Sequence, residues 1–381
     1  MTWQSKKLGN IATFINGKAF KPSDWSDVGF PIIRIQNLTN SIDDIHYYNG
    51  DIEDKYRITT GDILISWSAT IDVFEWLNGD AVLNQHIFKV VFDKEPIDKT
   101  FFKHLIKQKI DEMLKNVHGS TMKHITKGDF DNIDVLLPSL DEQKKIAKIL
   151  DKADEIRTKK KLANDKLDEF LKSTFISMFG DPIKNEKNYR IEKLQNVTKF
   201  LTDGKHGDCE DEDNSGYYFV SAKCINNGKI DLAQARQIKY DDYKEVNKRV
   251  KINVGDLLIV NTGATIGKMA IIRDEGLSNS ITLQKSVAVI NMDNDVLNSE
   301  YLSHCLLFKS MAKVSAGSAI HNLLLSTMRA YELPIPPIED QNKFAQIVEH
   351  VEAQKQKNEL VIEQMNNLFN SLSQRAFKGE I

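Results

Sequence analysis

The sequence predicts an α+β chain in which two tandem, homologous mixed α/β domains are each followed by one long helix, with the two helices packed together as a coiled coil. Three observations carry this. The second half of the chain repeats the first, strand-like segments and a helix fill the front of each half, and each half closes on a proline-opened polar helix with an apolar stripe.

The repeat is read from residue numbers. Pro138 matches Pro336, Asp141 matches Glu339, Glu142 matches Asp340 and Gln143 matches Gln341, each 198 positions apart. Upstream, GSTMKHITKGDFDNIDVLLP (119–138) keeps the same register with GSAIHNLLLSTMRAYELPIP (317–336). GDILISWSATI (61–71) is answered by GDLLIVNTGATI (255–266), and WQSKKLGNIATFINGKAF (3–20) by YRIEKLQNVTKFLTDGKHG (189–207). The separation widens toward the C-terminal end, as it does when insertions collect in loops. The predicted divisions are a first domain at 1–138, a helix at 139–180, a second domain at 181–336 and a second helix at 337–381.

Within each domain, DILIS (62–66), HIFKVVF (86–92), DLLIV (256–260) and KSVAVI (285–290) are aliphatic runs bounded by Gly, Asn and Asp, and read as strands. KTFFKHLIKQKIDEMLKNV (99–117) and SEYLSHCLLFKSMAKV (299–314) space their apolar residues as helices do.

Ser139 and Glu142 form an S-x-x-E capping box behind Pro138, and no Pro or Gly follows until Gly180. That allows about 40 helical residues, roughly 60 Å at 1.5 Å per residue. A heptad stripe places Ile146, Ile149, Ile156, Leu167 and Phe170 of the first helix with Phe344, Ile347, Val351, Val361, Met365 and Leu368 of the second. Lys160 and Asn358 fall on the same polar a position, which either sets register or simply reaches solvent. Helices this polar gain little by staying helical alone, so the stripes are expected to pack on each other.

At 381 residues the chain exceeds a single core, and its 41% hydrophobic content is that of a globular protein. No apolar run approaches the roughly 20 residues that span a bilayer, and MTWQSKKLGN lacks a signal-peptide core, so no membrane association and a cytoplasmic location are expected. Cys209, Cys224 and Cys305 are odd in number and widely spaced, which fits reduced thiols. The net charge of -3 gives no global basic footprint, so any nucleic-acid face must be local.

The paired segments LLPSLDEQKKIAKIL (136–150) and LPIPPIEDQNKFAQIV (333–348), the GD-[IL]-L-I strands at Gly61 and Gly255, and the order domain, helix, domain, helix resemble the specificity subunit of a type I restriction-modification system, the HsdS family. The resemblance covers nearly the whole chain. It implies two target-recognition domains, each reading one half of a bipartite sequence in double-stranded DNA. It further implies antiparallel helices that act as a ruler and dock two methyltransferase (modification) subunits. By the same resemblance, S-adenosylmethionine, ATP and magnesium belong to partner subunits, the motor-nuclease (restriction) subunits among them. The chain itself is expected to be non-catalytic and to serve in phage defence.

The residues agree with that division of labour. GATIGKM (263–269) is one residue short of a P-loop and lacks its Ser or Thr, so it reads as a turn. Gly180-Asp181-Pro182 has the Asp-Pro of an adenine methyltransferase motif without its following residues, and reads as a helix stop. The few histidines make no metal constellation. Base readout needs Arg, Lys, Asn, Gln, Ser or Thr at groove edges. Three segments offer them: Lys18 and Lys21, answered by Lys205 and His206; Arg34, Gln36 and Asn37, answered by Ser221, Lys223 and Asn226; and His118, Ser120, Thr121, Lys123 and His124, answered by Ser318, His321 and Asn322. The acids of CEDEDN (209–214) repel phosphate and are expected to face away from DNA or toward a basic partner. Two alternatives stand beside this reading: a helical-hairpin scaffold without a DNA role, and a self-sufficient methyltransferase or nuclease. Gln143 and Gln341 either complete the helix cap or meet the methylating partner.

Overall fold

The computed structural model describes residues 3–39, 41, 44–116, 126–315 and 323–377. The chain forms two compact units, residues 1–161 with 359–381, and residues 162–358. Five longer helices are numbered α1 (Lys99–Asn116), α2 (Leu140–Phe179), α3 (Tyr240–Val250), α4 (Ser299–Ser315) and α5 (Ile338–Phe377). No helix among the described residues is long and apolar enough to cross a membrane.

In unit 1, the strands Thr13–Asn16, Ile87–Val91, Ile63–Ser66 and Asp72–Glu75 lie in that order as an antiparallel sheet. A second sheet has the order Tyr47–Tyr48, Phe30–Ile33, Ala81–Leu83, Arg57–Ile58, its central pair parallel. Unit 2 repeats the first sheet with Thr198–Asp203, Val287–Met292, Leu257–Val260 and Met269–Ile271. It repeats the parallel pair with Tyr218–Val220 and Ile281–Leu283. It then adds α3 and the hairpin Ile225–Asn226 with Lys229–Ile230. Asn227 and Gly228, both at positive φ, close that hairpin as Asn-Gly pairs do in type I′ turns.

The GD-[IL]-L-I strands carry three or more consecutive apolar residues because both of their faces are covered. Ile63 and Ile65 point into one core with Phe101, Phe102 and Leu105 of α1, while Leu64 enters another with Ile33, Leu83 and Ile87. Leu257 and Ile259 likewise meet Tyr301 and Leu302 of α4, and Leu258 and Val260 meet Val220 and Leu283. The preceding glycines, Gly61 and Gly255, sit at φ 89° and 91°, where other residues strain.

The motif aspartates differ between units. Asp62 accepts from the Thr59 amide at 2.9 Å and pairs with Lys89 at 3.1 Å. Asp256 accepts from the Asn253 amide at 2.8 Å, and its other oxygen accepts from the neutral Asn291 side-chain amide at 2.5 Å. Burial pushes the Asp256 carboxyl up to about 6.

The two glutamines of the long-helix starts are buried. Gln143 Oε1 accepts from the Asp98 amide at 2.9 Å, ahead of α1, and its Nε2 donates to Pro138 O at 3.0 Å. Gln341 does the same in unit 2: it accepts from the Asn298 amide at 2.9 Å and donates to Pro336 O at 2.8 Å and Val296 O at 3.0 Å. They tie the start of each long helix to the start of the helix before it. Within the chain, both side chains are used by this joint. Capping belongs to Glu142, whose carboxylate accepts from the Ser139 hydroxyl at 2.7 Å and amide at 3.0 Å and is held below its usual range by those bonds.

Helices α2 and α5 pack antiparallel within each unit. In unit 2, Asn164 meets Asn358 at 2.8 Å and Asp168 meets Lys355 at 2.8 Å, one helix ascending as the other descends. In unit 1, Arg157 reaches Asn366 at 3.3 Å and lies over the Phe369 ring. The buried stripe departs from the heptad. Ile146, Phe344 and Val351 are buried and Leu167 and Ile347 partly so, and Ile156, Val361 and Met365 are half-buried. Ile149, Phe170 and Leu368 are 45%, 49% and 44% exposed, and Leu150, Leu171 and Phe369 next to them turn inward instead. A straight helix turns 3.6 residues, so its inner face drifts from a 3.5-residue repeat. The helix ends also pack on sheet and helix: Phe175 lies 5.1 to 5.6 Å from Phe308, Phe344 and Tyr301. Gly180, at φ 75°, ends α2 as a Gly stop does.

Two predictions follow from these contacts. Replacing Gln341 by Leu strands the Asn298 amide and two carbonyls, and lowers the stability of unit 2 by about 2–4 kcal/mol. The exposed change Lys343→Ala stays within about 0.5 kcal/mol, both measured by denaturant unfolding. Asp256 has a folded value of about 6 against an ordinary 3.8, so its contribution favours the fold at low pH and is lost as pH rises through about 6. Carboxyl-carbon NMR should show a midpoint near that value, and D256N should flatten the pH dependence of unit 2 stability between those limits.

Candidate nucleic-acid interface

The candidate residues converge through backbone geometry. In unit 1 the first strand ends at Asn16, and Gly17 crosses the neighbouring turn so closely that a Cβ on it would stand 2.2 Å from Asn84 O and 2.3 Å from Leu83 O. The Lys18 amide then donates to Leu83 O at 2.8 Å, and the Asn84 amide to Ile33 O at 3.1 Å. Lys18 and Arg34, distant in sequence, are thereby brought to either side of Asn84.

Unit 2 builds the same crossing. A Cβ on Gly204 would stand 1.9 Å from Leu283 O, Lys205 N donates to Leu283 O at 2.8 Å, and Gln284 N donates to Val220 O at 2.9 Å. Ser221 therefore occupies the place of Arg34, and Lys205 that of Lys18. Ala222 N is held by Ser286 Oγ at 3.2 Å.

The side chains on this shared frame have distinct surroundings. Lys18 Nζ donates to the Tyr48 hydroxyl at 3.1 Å and lies 4.7 Å from that ring's centre, so its charge rests on an aromatic face. Lys21 is exposed at the head of the turn Pro22–Asp24. Arg34 Nη2 donates to Asp44 O at 2.9 Å. Asn37 accepts from the Arg34 amide at 3.0 Å and donates to Asp44 O at 3.1 Å, a turn-holding role, while Gln36 is exposed.

In unit 2, Lys205 is ion-paired with Asp242 at 2.9 Å, and that carboxylate raises the lysine's pKa. The exposed His206 lies 3.0 Å from Asp203. Lys223 is exposed, and Asn226 bridges Lys223 O and the Lys268 ammonium at 2.9 Å each. His118, Ser120, Thr121, Lys123, His124, Ser318, His321 and Asn322 lie outside the described residues.

The acidic run finds its cations at home. Arg236 joins Asp211 of the run at 2.7 Å and Asp208 just ahead of it at 2.6 Å, and Lys239 pairs with Glu210. GATIGKM forms the turn between Leu257–Val260 and Met269–Ile271, with Gly263 and Gly267 at positive φ. No cluster among the described residues could hold a metal ion.

Sequence reasoning passed over Asn84, Gln85 and His86, and their counterparts Gln284, Lys285 and Ser286. The signal was present: both triplets run into segments already read as strands, HIFKVVF (86–92) and KSVAVI (285–290). The frame itself is testable. Gly17→Ala and Gly204→Ala should each cost more than about 2 kcal/mol, because backbone must move. Gly128→Ala, whose Cβ would meet only a side-chain oxygen at 3.7 Å, should be neutral or stabilising in the same denaturant titrations.

The type I restriction modification DNA specificity domain family matches residues 1–167 and 184–364. Among similar proteins, the EcoBI specificity subunit of Escherichia coli is 25% identical over all of this chain and 86% of its own length. The MjaVIII specificity subunit of Methanocaldococcus jannaschii is 21% identical over 92% of this chain and 86% of its own. The fold resembles a solved S subunit from M. genitalium, with a TM-score of 0.56 at 13% identity, covering 99% of this chain and 96% of that one. It also resembles a chain from a type I R-M system structure, with a TM-score of 0.59 at 16% identity, covering 100% and 98%. With the domain present twice, on two units built to one plan, the chain belongs to the type I restriction modification DNA specificity family.

Proposed function

We propose that the chain is the sequence-reading subunit of a type I restriction-modification complex, with each domain reading one half of a bipartite DNA target. The observation that carries this is one backbone frame built twice and carrying different polar side chains: Lys18 and Arg34 beside Asn84 in unit 1, Lys205 and Ser221 beside Gln284 in unit 2. A single site would need one such frame, and a symmetric site would repeat its side chains. Chemistry is assigned to partners: methyltransferase subunits supplying S-adenosylmethionine-dependent adenine methylation, and restriction subunits using ATP and magnesium to move and cut DNA. In this reading the chain is non-catalytic and cytoplasmic.

The antiparallel helices are proposed as spacer and dock. Support for docking comes from unit 1, where Ile149, Ile156, Met365, Leu368 and Leu372 line an open groove of about 1210 Å³ between α2 and α5. Its lining also carries both charge signs, Lys144, Lys148, Lys152 and Lys159 beside Asp98, Asp151, Asp154 and Glu155. Apolar side chains left open on a polar helix pair suit a partner surface.

The direct test is methylome sequencing of a host carrying this chain with its methylating partner. A two-part adenine motif is expected; a continuous motif, or no adenine methylation, overturns the reading. Inserting seven residues, about one heptad, into both α2 and α5 should lengthen the unspecified spacer and leave both half-sites unchanged. The scaffold alternative draws on the net charge of -3. Gel shifts of the assembled complex separate the two, because phosphate binding weakens steeply with salt.

A further inference from the structure

We infer that the triplet turns Asn84-Gln85-His86 and Gln284-Lys285-Ser286 carry base readout, with Gln85 contacting adenine in one half-site and Lys285 contacting guanine in the other. This deepens the functional reading above and rests on it. In both units the turn links the strand that pairs in parallel in the second sheet (Ala81–Leu83, Ile281–Leu283) to a central strand of the first (Ile87–Val91, Val287–Met292). The outer two residues are half-buried and the middle one is exposed in both cases.

The turn is rigid by construction. Ile87 N donates to Asn84 O at 3.2 Å and Val287 N to Gln284 O at 2.9 Å, closing the turn itself. The crossing at Gly17 or Gly204 holds it from one side, and Ile33 O or Val220 O from the other. A tip held on three sides gives a side chain a defined place from which to reach a groove edge, which readout requires. The frame is shared while the tip chemistry is not, as two readers of different half-sites require.

The tip side chains have the matching chemistry. A glutamine amide presents one donor and one acceptor, the pattern of the adenine N7 and N6 edge; an ammonium suits guanine O6 and N7. Lys285 has no side-chain hydrogen bond or ion pair among the described residues, unlike the neighbouring Lys205 bound to Asp242. Gln85 Nε2 lies 3.3 Å from His86 Nε2, a contact within the same turn that leaves the amide exposed.

The test uses the full chain with its methylating partner in a host without other adenine methylation, read by methylome sequencing. Gln85→Ala should relax one A·T position in one half-site, and Lys285→Ala one G·C position in the other, each discrimination falling by about 10- to 100-fold. Gln85→Glu should shift preference at that same position toward cytosine. Melting temperatures of the variants, expected to match the parent because both tips are exposed, confirm that folding is intact; the charge-changing Gln85→Glu and the truncating Gln85→Ala provide independent readings of the position. An unchanged motif in folded variants overturns the inference. So does a uniform loss of methylation over all sequences, with a reduced salt slope in gel shifts of the assembled complex, which marks a phosphate contact. If the parent chain yields no two-part motif, the functional reading fails and takes this inference with it; if the motif is two-part and the variants leave it intact, the inference alone fails.

Discussion

The architecture turns on two buried glutamines. Gln143 and Gln341 each accept one amide ahead of a domain helix and donate to the carbonyl of the proline that opens a long helix. An amide side chain is one of the few groups that can satisfy a donor and an acceptor together in a buried place. Leaving these groups unpaired would cost more than the bonds gain, so the direction in which α2 and α5 leave their domains is specified by hydrogen bonding as well as by apolar packing. The apolar contacts that follow, Ile146 and Leu150 in unit 1 and Phe344 and Val348 in unit 2, come from the turns just beyond each joint.

A second constraint acts at the opposite end of the strands. Gly17 and Gly204 pass backbone carbonyls at distances where no Cβ fits, and that approach brings residues from three separate segments around one turn. What is shared between the units is backbone; what differs is side chain. Rigid frames carrying variable polar groups are the usual arrangement for recognition, since the frame holds position while its surface groups set specificity.

Charge is handled locally. Asp242 neutralises Lys205, Arg236 and Lys239 pair with Asp211 and Glu210 of the acidic run, and Lys89 neutralises Asp62. The same pairs divide the lysines of the frame: Lys205 is occupied by a carboxylate, while Lys18 lies on an aromatic ring and Lys285 is exposed.

The sequence by itself determined the repeat, the strands, and the two long helices with their proline openings and their Gly180 stop, because period, capping chemistry and self-similarity are local properties. It also led to the family. Tertiary structure decided three matters that local pattern cannot reach. It moved the inner stripe from Ile149, Phe170 and Leu368 to their neighbours, because helix geometry drifts from a heptad and because the helix ends pack on sheets. It assigned Gln143 and Gln341 to an internal joint, since their partners Asp98 and Asn298 lie over 40 residues away. It brought Lys18, Arg34 and Asn84 together, and Lys205, Ser221 and Gln284, through hydrogen bonds between strands whose pairing depends on the whole unit.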